Sequence, residues 1–153
     1  MKQGRKKCTS FCIVDSQSVK NADTAETKGY DAGKKISGIK RHIVVDTQGL
    51  LHAIHITPAN ITDRAGALEA FWLNVAGLKS VKNVLADGEY TGESFAAEVK
   101  NILGASVKIA KRNKFHTFAV TPQRWVVERS FAWLDKCRRP GKTVNVSLVP
   151  AYK

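Results

Sequence analysis

Three acidic residues stand in separate segments of this 153-residue chain, each where local structure could aim a carboxylate at a shared point. Asp15 and Asp87 each end a short apolar run that is typical of a buried strand, and Glu128 lies inside a helix-like run. Carboxylate oxygens are the ligands that Mg²⁺ prefers, and two or three of them on rigid elements can support phosphodiester chemistry. The three residues are therefore candidate ligands of a catalytic Mg²⁺ site, with Mn²⁺ as the alternative ion.

Each of these acids also has a purely structural interpretation. Asp15 could simply close a strand, and Asp87 followed by Gly88 is a common turn dipeptide. Glu128 could pair with Arg124 one helical turn earlier. Spacing alone does not exclude four other acids, which are Asp46, Asp63, Glu89 and Asp135. The pattern by itself leaves the membership of the site open.

The charge of the chain indicates a polyanionic partner. Lys and Arg number 25 against 13 Asp and Glu, which gives a formal net charge of +12. So large an excess in so short a chain favours nucleic-acid binding over a merely solvated basic surface. The residues that could contact phosphates are Lys34, Lys35, Lys40, Arg41, Lys111 and Arg112.

Composition and length narrow the class of protein. The length predicts one domain, and the hydrophobic fraction of 43% is ordinary for a globular chain that needs no disulfides. Three cysteines, at positions 8, 12 and 137, complete no zinc motif, so we expect reduced thiols. No segment approaches the roughly 20 apolar residues that a membrane span requires. We therefore predict a cytoplasmic protein with no membrane partner.

Apolar periodicity and Gly and Pro stops predict the elements that would position the acids. We predict a strand at 10–15, a hairpin at 41–57, and strands at 81–86 and 106–110. Helices are predicted at 63–76, 91–103 and 122–137, and the polar residues 16–40 are expected to form a long flexible loop. An antiparallel start followed by alternating helices and strands predicts a mixed α/β sheet covered by helices. Sites in such sheets form beyond strand ends, where Asp15 and Asp87 fall.

Five segments, taken together, resemble the catalytic part of bacterial insertion-sequence transposases of the DDE superfamily. They are 14–20 (VDSQSVK), 29–35 (GYDAGKK), 38–42 (GIKRH), 86–90 (ADGEY) and 124–134 (RWVVERSFAWL). The group that these segments resemble most is the IS-five family, and the resemblance runs from about residue 12 to residue 139. Several long motifs in the right order make the resemblance specific.

The resemblance implies a ribonuclease-H-like fold and a function. It implies that Asp15, Asp87 and Glu128 are the three catalytic, metal-binding acids. It further implies cleavage of double-stranded DNA at the element ends and attack of the freed 3′-hydroxyl on target DNA, by a protein that works as a multimer. Arg124 and Lys136, which flank Glu128, resemble basic positions near the third acid and are added to the DNA-contact candidates.

The chain also departs from the family pattern at both ends. We predict a basic N-terminal segment at 1–11, the catalytic domain at 12–139 and an irregular tail at 140–153. Only about ten residues precede the first strand, and Pro140-Gly141 introduces a tail of the kind that a frameshift or truncation produces. We therefore expect a truncated or second-frame transposase. The alternatives are an inactive remnant that only binds DNA and a basic structural or RNA-associated protein whose acids are incidental.

Overall fold

One mixed sheet with helices on both faces makes up the part of the chain that the computed structural model describes, residues 9–20, 27–110 and 122–136. The strands are β1 (Phe11–Lys20), β2 (Gly29–Asp31), β3 (Ile36–Val45), β4 (Leu51–Pro58), β5 (Asn83–Ala86) and β6 (Ser106–Ile109). The α-helices are α1 (Asp63–Leu73), α2 (Glu93–Leu103) and α3 (Pro122–Lys136). This architecture confirms the prediction of a mixed α/β sheet flanked by helices.

The strand order places two parallel strands next to each other at the centre of the sheet. The order is β2-β3-β1-β5-β6, and β4 pairs with β3. β1 runs antiparallel to β3 and parallel to β5, and β5 runs parallel to β6. β1 and β5 therefore point their carboxyl ends in the same direction, the arrangement that brings the ends of two strands to one site.

Alternate residues of the central strands contribute to two separate hydrophobic clusters, one on each face of the sheet, because successive side chains of a strand point to opposite faces. On one face, α1 and α2 cover a cluster that includes Cys12, Val14, Val44, Phe71 and Val99. On the other face, α3 covers a smaller cluster built from Ile13, Ile43, Val45, Val126, Val127 and Phe131. Cys12 is a free thiol, as predicted, and its burial raises its pKa to about 12.

The segment 16–40 is the main difference from the sequence-based expectation. Instead of a long loop, β1 continues to Lys20 and forms an antiparallel ladder with β3 that extends from Ile13↔Val45 to Lys20↔Gly38. The polar side chains of this ladder are accommodated by partners distant in sequence; the Ser18 hydroxyl donates to Asp31 Oδ2 at 2.6 Å. Hydrophobic alternation therefore does not mark these strands. The predicted hairpin of β3 and β4 is confirmed.

The helix boundaries follow from local capping. Thr62 caps α1, which begins at Asp63 as predicted, but the helix ends at Leu73 because the Asn74 side chain donates to Ala70 O. A short 3₁₀ turn, Gly88–Tyr90, delays the start of α2, and Gly104 ends α2 in the left-handed conformation at φ 68°. Among the helices of the described residues, none is long and apolar enough to cross a membrane.

Candidate active site

Asp15 and Asp87 lie side by side on neighbouring parallel strands. The register pairs Ile13 of β1 with Leu85 of β5, so two further residues along each strand lead to Asp15 and Asp87. Asp87 keeps an extended backbone, with φ −84° and ψ −175°, so the alternation of side chains holds up to this residue. Both acids therefore fall on the face of Ile13 and Leu85, which is the face that α3 covers.

The two carboxylates interact electrostatically. Burial raises the pKa of Asp15 to about 6, the Ser16 backbone N–H lowers it, and the charge of Asp87 raises it. Asp87 is exposed, and its Oδ1 accepts a hydrogen bond from the Glu89 backbone N–H at 3.0 Å. Two carboxylates that repel each other at one strand edge are a suitable donor set for a divalent cation, because the cation offsets both charges.

Glu128 lies on a flank of α3, the helix that covers this face of the sheet through Val127 and Phe131. The opposite flank of α3 contacts the β3–β4 connection, where Ser130 Oγ donates to Gly49 O at 3.3 Å. With about 100° per residue, Glu128 falls on the flank away from Ser130. Its side chain is exposed. Yet across the described ranges, no three His, Cys, Asp or Glu side chains gather closely enough to hold a metal ion. The structure thus brings Asp15 and Asp87 together and leaves Glu128 on the facing helix.

Three of the four competing acids have structural partners. Asp46 closes the β3–β4 turn by accepting from the Gln48 and Leu50 backbone N–H groups at 2.8 and 3.0 Å. Asp63 forms an ion pair with a buried lysine, and Asp135 forms one with a buried arginine. Glu89, in contrast, is exposed in the 3₁₀ turn. The structural partners of Asp46, Asp63 and Asp135 distinguish these three acids from Asp15 and Asp87, which their spacing in the sequence could not do.

The predicted DNA-contact residues divide into exposed and buried positions. Lys34 and Lys35 lie in the exposed turn at 32–35, and Lys34 is close enough to Asp15 for its charge to lower the pKa of that carboxyl. Lys136 is exposed at the end of α3. Lys111 and Arg112 lie outside the described residues, and the side chain of Arg124 is likewise outside the description.

Lys40 and Arg41 are interior residues, which corrects their prediction as surface contacts to DNA. Lys40 is 5% exposed and its Nζ lies 2.8 Å from Asp63 Oδ1. Arg41 is 7% exposed and its guanidinium is bound by Gln17 and Asp135. Because side-chain partners already occupy these cations inside the fold, they are not presented to a phosphate backbone.

Sequence reasoning missed Tyr90, which anchors the turn that carries Asp87. Its ring is 1% exposed and packs against Phe95 with ring centroids 5.4 Å apart. Burial raises the pKa of Tyr90 well above its ordinary value, and the nearby carboxylate of Asp15 raises it further. The Tyr90 and Ser16 hydroxyls approach each other without reaching hydrogen-bond geometry, and neither has another partner among the described residues. The signal in the sequence that could have identified Tyr90 is an aromatic residue three positions after Asp87, the acid at the end of β5.

A family model and a related sequence match most of this chain. The model of the transposase DDE domain matches residues 6–142. A protein of Burkholderia cepacia that is described as a transposase for insertion sequence element IS402 is 34% identical over 109 residues. That match covers 67% of this chain and 51% of the relative, so the chain spans about half the length of the relative.

Two solved structures share the fold. A chain in the structure of the simian T-cell lymphotropic virus intasome in complex with PP2A regulatory subunit B56 gamma has a TM-score of 0.56 at 16% identity. The match covers 84% of this chain and 39% of that one. The catalytic core domain of BIV integrase has a TM-score of 0.50 at 13% identity, with coverage of 85% and 74%. The predicted ribonuclease-H-like architecture is thereby confirmed at the level of the fold.

Proposed function

We propose, from the premise that this chain belongs to the transposase DDE domain family, that it is a DNA transposase whose site is built on Asp15 and Asp87. The observation that carries the proposal is the parallel register of β1 and β5, which sets Asp15 of β1 beside Asp87 at the end of β5. The substrate we propose is double-stranded DNA, both the ends of an insertion sequence and its target, handled by a multimer of the protein.

Asp15 and Asp87 would hold the divalent cation, and Glu128 would join them as the third ligand when DNA and metal are bound. Carboxylate oxygens favour Mg²⁺, with Mn²⁺ as the alternative ion. A bound cation of this kind activates the attacking oxygen and stabilises the leaving oxygen of a phosphodiester. Strand cleavage by water and strand transfer by a 3′-hydroxyl are the same in-line displacement with different nucleophiles, so one site can serve both steps.

The basic residues of the described surface would bind and orient the DNA. Lys34 and Lys35 lie in the exposed turn at 32–35, from which the charge of Lys34 reaches Asp15, and Lys136 is exposed at the end of the helix that carries Glu128. Lysine contacts to phosphate fix the position of a duplex without reading its sequence. We retain Arg124, Lys111 and Arg112 as proposed contacts, together with the assignment to the IS-five family.

A second candidate function is DNA binding without cleavage. It is favoured by the position of Glu128, because the described residues do not gather three acids around one point. The two candidates differ in a single measurable respect, which is cleavage of DNA that depends on a divalent cation.

The test is a nicking assay on a supercoiled plasmid that carries the gene with its flanking DNA, in Mg²⁺, Mn²⁺ or EDTA. We expect the wild type to nick the plasmid with either ion and not in EDTA. Asp87→Ala should abolish nicking yet retain salt-sensitive binding in a gel-shift assay. Glu98→Ala, which removes an exposed acid from α2, serves as the matched control and should nick at the wild-type rate.

Two outcomes would count against the proposal. Binding by the wild type with no nicking in either ion would establish the second candidate. Nicking by Asp87→Ala at the wild-type rate would remove Asp87 from the site. If Asp87→Ala also lost binding, the isosteric Asp87→Asn would separate a folding defect from a loss of metal ligation.

A further inference from the structure

We infer that Arg41 is a positioning residue: held between Gln17 of β1 and Asp135 of α3, it sets the position of α3, and with it Glu128, relative to Asp15 and Asp87. This inference rests on the proposed function. It assigns a role to a buried arginine that the sequence pattern had suggested for DNA contact.

Arg41 joins three elements through one guanidinium group. Its Nη2 donates to Asp135 Oδ1 at 2.7 Å, and the same nitrogen donates to Gln17 Oε1. The Arg41 side chain is 9% exposed, whereas that of Asp135 is 48% exposed. The buried Arg41 cation therefore links strands β3 and β1 to helix α3, which covers them.

Two further polar attachments of α3 lie on its opposite flank. Arg129 Nη2 donates to Gln48 O at 2.8 Å, and Ser130 Oγ donates to Gly49 O, both in the β3–β4 connection. Between the two flanks, Val127 and Phe131 pack on the sheet. Apolar packing is not directional, so it holds the helix to the sheet without fixing its rotation. A directional contact on each flank does fix that rotation.

The geometry of the helix links the Arg41 contact to Glu128. Glu128 and Asp135 are seven residues apart, which is about two helical turns and about 10.5 Å along the axis, so they lie on nearly the same stripe. Tilting or rotating the helix at Asp135 therefore moves Glu128 in the same sense. Because Glu128 is exposed on this flank, its distance from the strand acids depends on the helix position.

The chemistry of the pair explains why Asp135 matters despite its exposure. Arg41 Nε is buried and has no hydrogen-bond partner among the described residues, so this guanidinium is incompletely satisfied. Asp135 supplies the opposite charge, and Gln17 supplies only a neutral acceptor. Removing the carboxylate leaves the buried Arg41 cation without an opposite charge, and α3 loses the contact that fixes its position at this point.

The experiment compares Asp135→Ala and Asp135→Asn with the control Glu98→Ala in the full chain, measuring plasmid nicking against Mg²⁺ concentration. We expect Asp135→Ala to raise the Mg²⁺ concentration for half-maximal nicking by about tenfold, since small misplacements of a catalytic group are costly. Asp135→Asn keeps an acceptor oxygen and should fall between it and the wild type. Gel-shift affinity for the plasmid fragment should be unchanged, and Glu98→Ala should match the wild type.

Hydrogen exchange supplies a readout that does not need activity. Asp135→Ala should lower the protection of amides in α3 and leave α1 and α2 unchanged. An unaltered Mg²⁺ requirement together with unaltered α3 protection would overturn the inference. A purely structural role would lower α3 protection without moving the Mg²⁺ requirement, and that result would overturn the positioning role.

Failure of the proposed function is recognised separately. If the wild type binds but does not nick DNA, the proposed transposase activity fails, and with it the role of Arg41 in positioning Glu128 for cleavage. The exchange measurement then decides whether Arg41 anchors the helix: unchanged α3 protection in Asp135→Ala would reject that contact, and loss of protection confined to α3 would support it.

Discussion

The fold places Asp15 where the ionised form of its carboxyl group is destabilised. Burial and the neighbouring charge of Asp87 together raise its pKa to about 6, above the ordinary value of 3.8. Between these pH values the folded protein binds a proton that the unfolded chain releases. The ionised Asp15 therefore destabilises the metal-free protein above about pH 6, and the penalty disappears as the pH falls toward 4.

We predict that Asp15→Asn stabilises the metal-free protein at pH 7.5 by about 3 kcal/mol, because the neutral amide avoids the cost of burying a charge. Chemical denaturation in EDTA would measure the gain, which should vanish near pH 4. Glu98→Gln, an exposed acid neutralised in the same way, should change stability at neither pH. An equal gain for Asp15→Asn at both pH values would show that packing, not charge, is responsible.

His42 and Asp15 have opposite effects on the way the stability of the wild type changes with pH. Burial lowers the pKa of His42 from 6.5 to about 4, so the unfolded chain binds the extra proton as the pH falls between these values. That contribution destabilises the folded protein at lower pH, whereas Asp15 stabilises it over a similar window. The difference between Asp15→Asn and the wild type removes the His42 contribution and isolates Asp15.

At the scale of elements, strand β3 attaches a helix to each face of the sheet. Lys40 is bound to Asp63 at the start of α1, and His42 lies under the same helix. Arg41, which points to the opposite face, is bound to Asp135 of α3. Lys40 and Arg41, which the sequence suggested as DNA contacts, and the adjacent His42 therefore contact the helices on both faces of the sheet.

Helix α1 approaches the sheet closely at Gly66. A Cβ atom at this position would lie 2.1 Å from the His42 ring, which is fully buried and hydrogen-bonded to Thr57 at 2.9 Å. We predict that Gly66→Ala lowers the free energy of unfolding by about 3 kcal/mol, because neither the helix nor the ring can move without loss of packing.

Urea denaturation would measure this loss, with Gly77→Ala as the control. A Cβ atom at Gly77 meets its nearest neighbour, Asn74 O, at 3.7 Å, so that variant should keep nearly wild-type stability. The double variant Gly66→Ala with His42→Ala should recover part of the loss by making room for the methyl group. Wild-type stability in Gly66→Ala would contradict the close packing of α1 on His42.

At the scale of the whole molecule, we expect DNA binding to depend on the position of the basic residues more than on the net charge of +12. Lys34 and Lys35 lie in an exposed turn, and Lys34 acts on Asp15 electrostatically. Lys79 and Lys82 are equally exposed but precede β5, at the end of that strand opposite to Asp87. The two pairs carry the same charge at different ends of the sheet.

We predict that replacing Lys34 and Lys35 by Ala reduces the slope of log binding constant against log salt concentration by about 2, since each lost phosphate contact contributes roughly 0.9. Fluorescence anisotropy with a DNA duplex over a salt series would measure the slope. Replacing Lys79 and Lys82 by Ala removes the same charge and should leave the slope unchanged. Equal reductions in both double variants would indicate that net charge alone drives binding.

The sequence by itself determined the features that depend on neighbours along the chain. The apolar run before Asp87 identified the end of β5, and the run before Asp15 identified β1, although that strand continues to Lys20. The start of α1 at Asp63 and the stop signal for α2 at Gly104 were likewise identified. These signals are short-range, because a strand or a cap is specified within a few residues. The composition and the ordered motifs likewise indicated the family and the mixed α/β fold.

Only the tertiary structure decided which polar residues are inside. Ser18 and Lys40 belong to strands because Asp31 and Asp63, distant in the chain, compensate them, and this made residues 16–40 look like a loop. The same holds for Arg41, whose partner Asp135 is 94 residues away. A charged residue can be buried only where the fold supplies a partner for it, so the sequence around that residue does not indicate its burial.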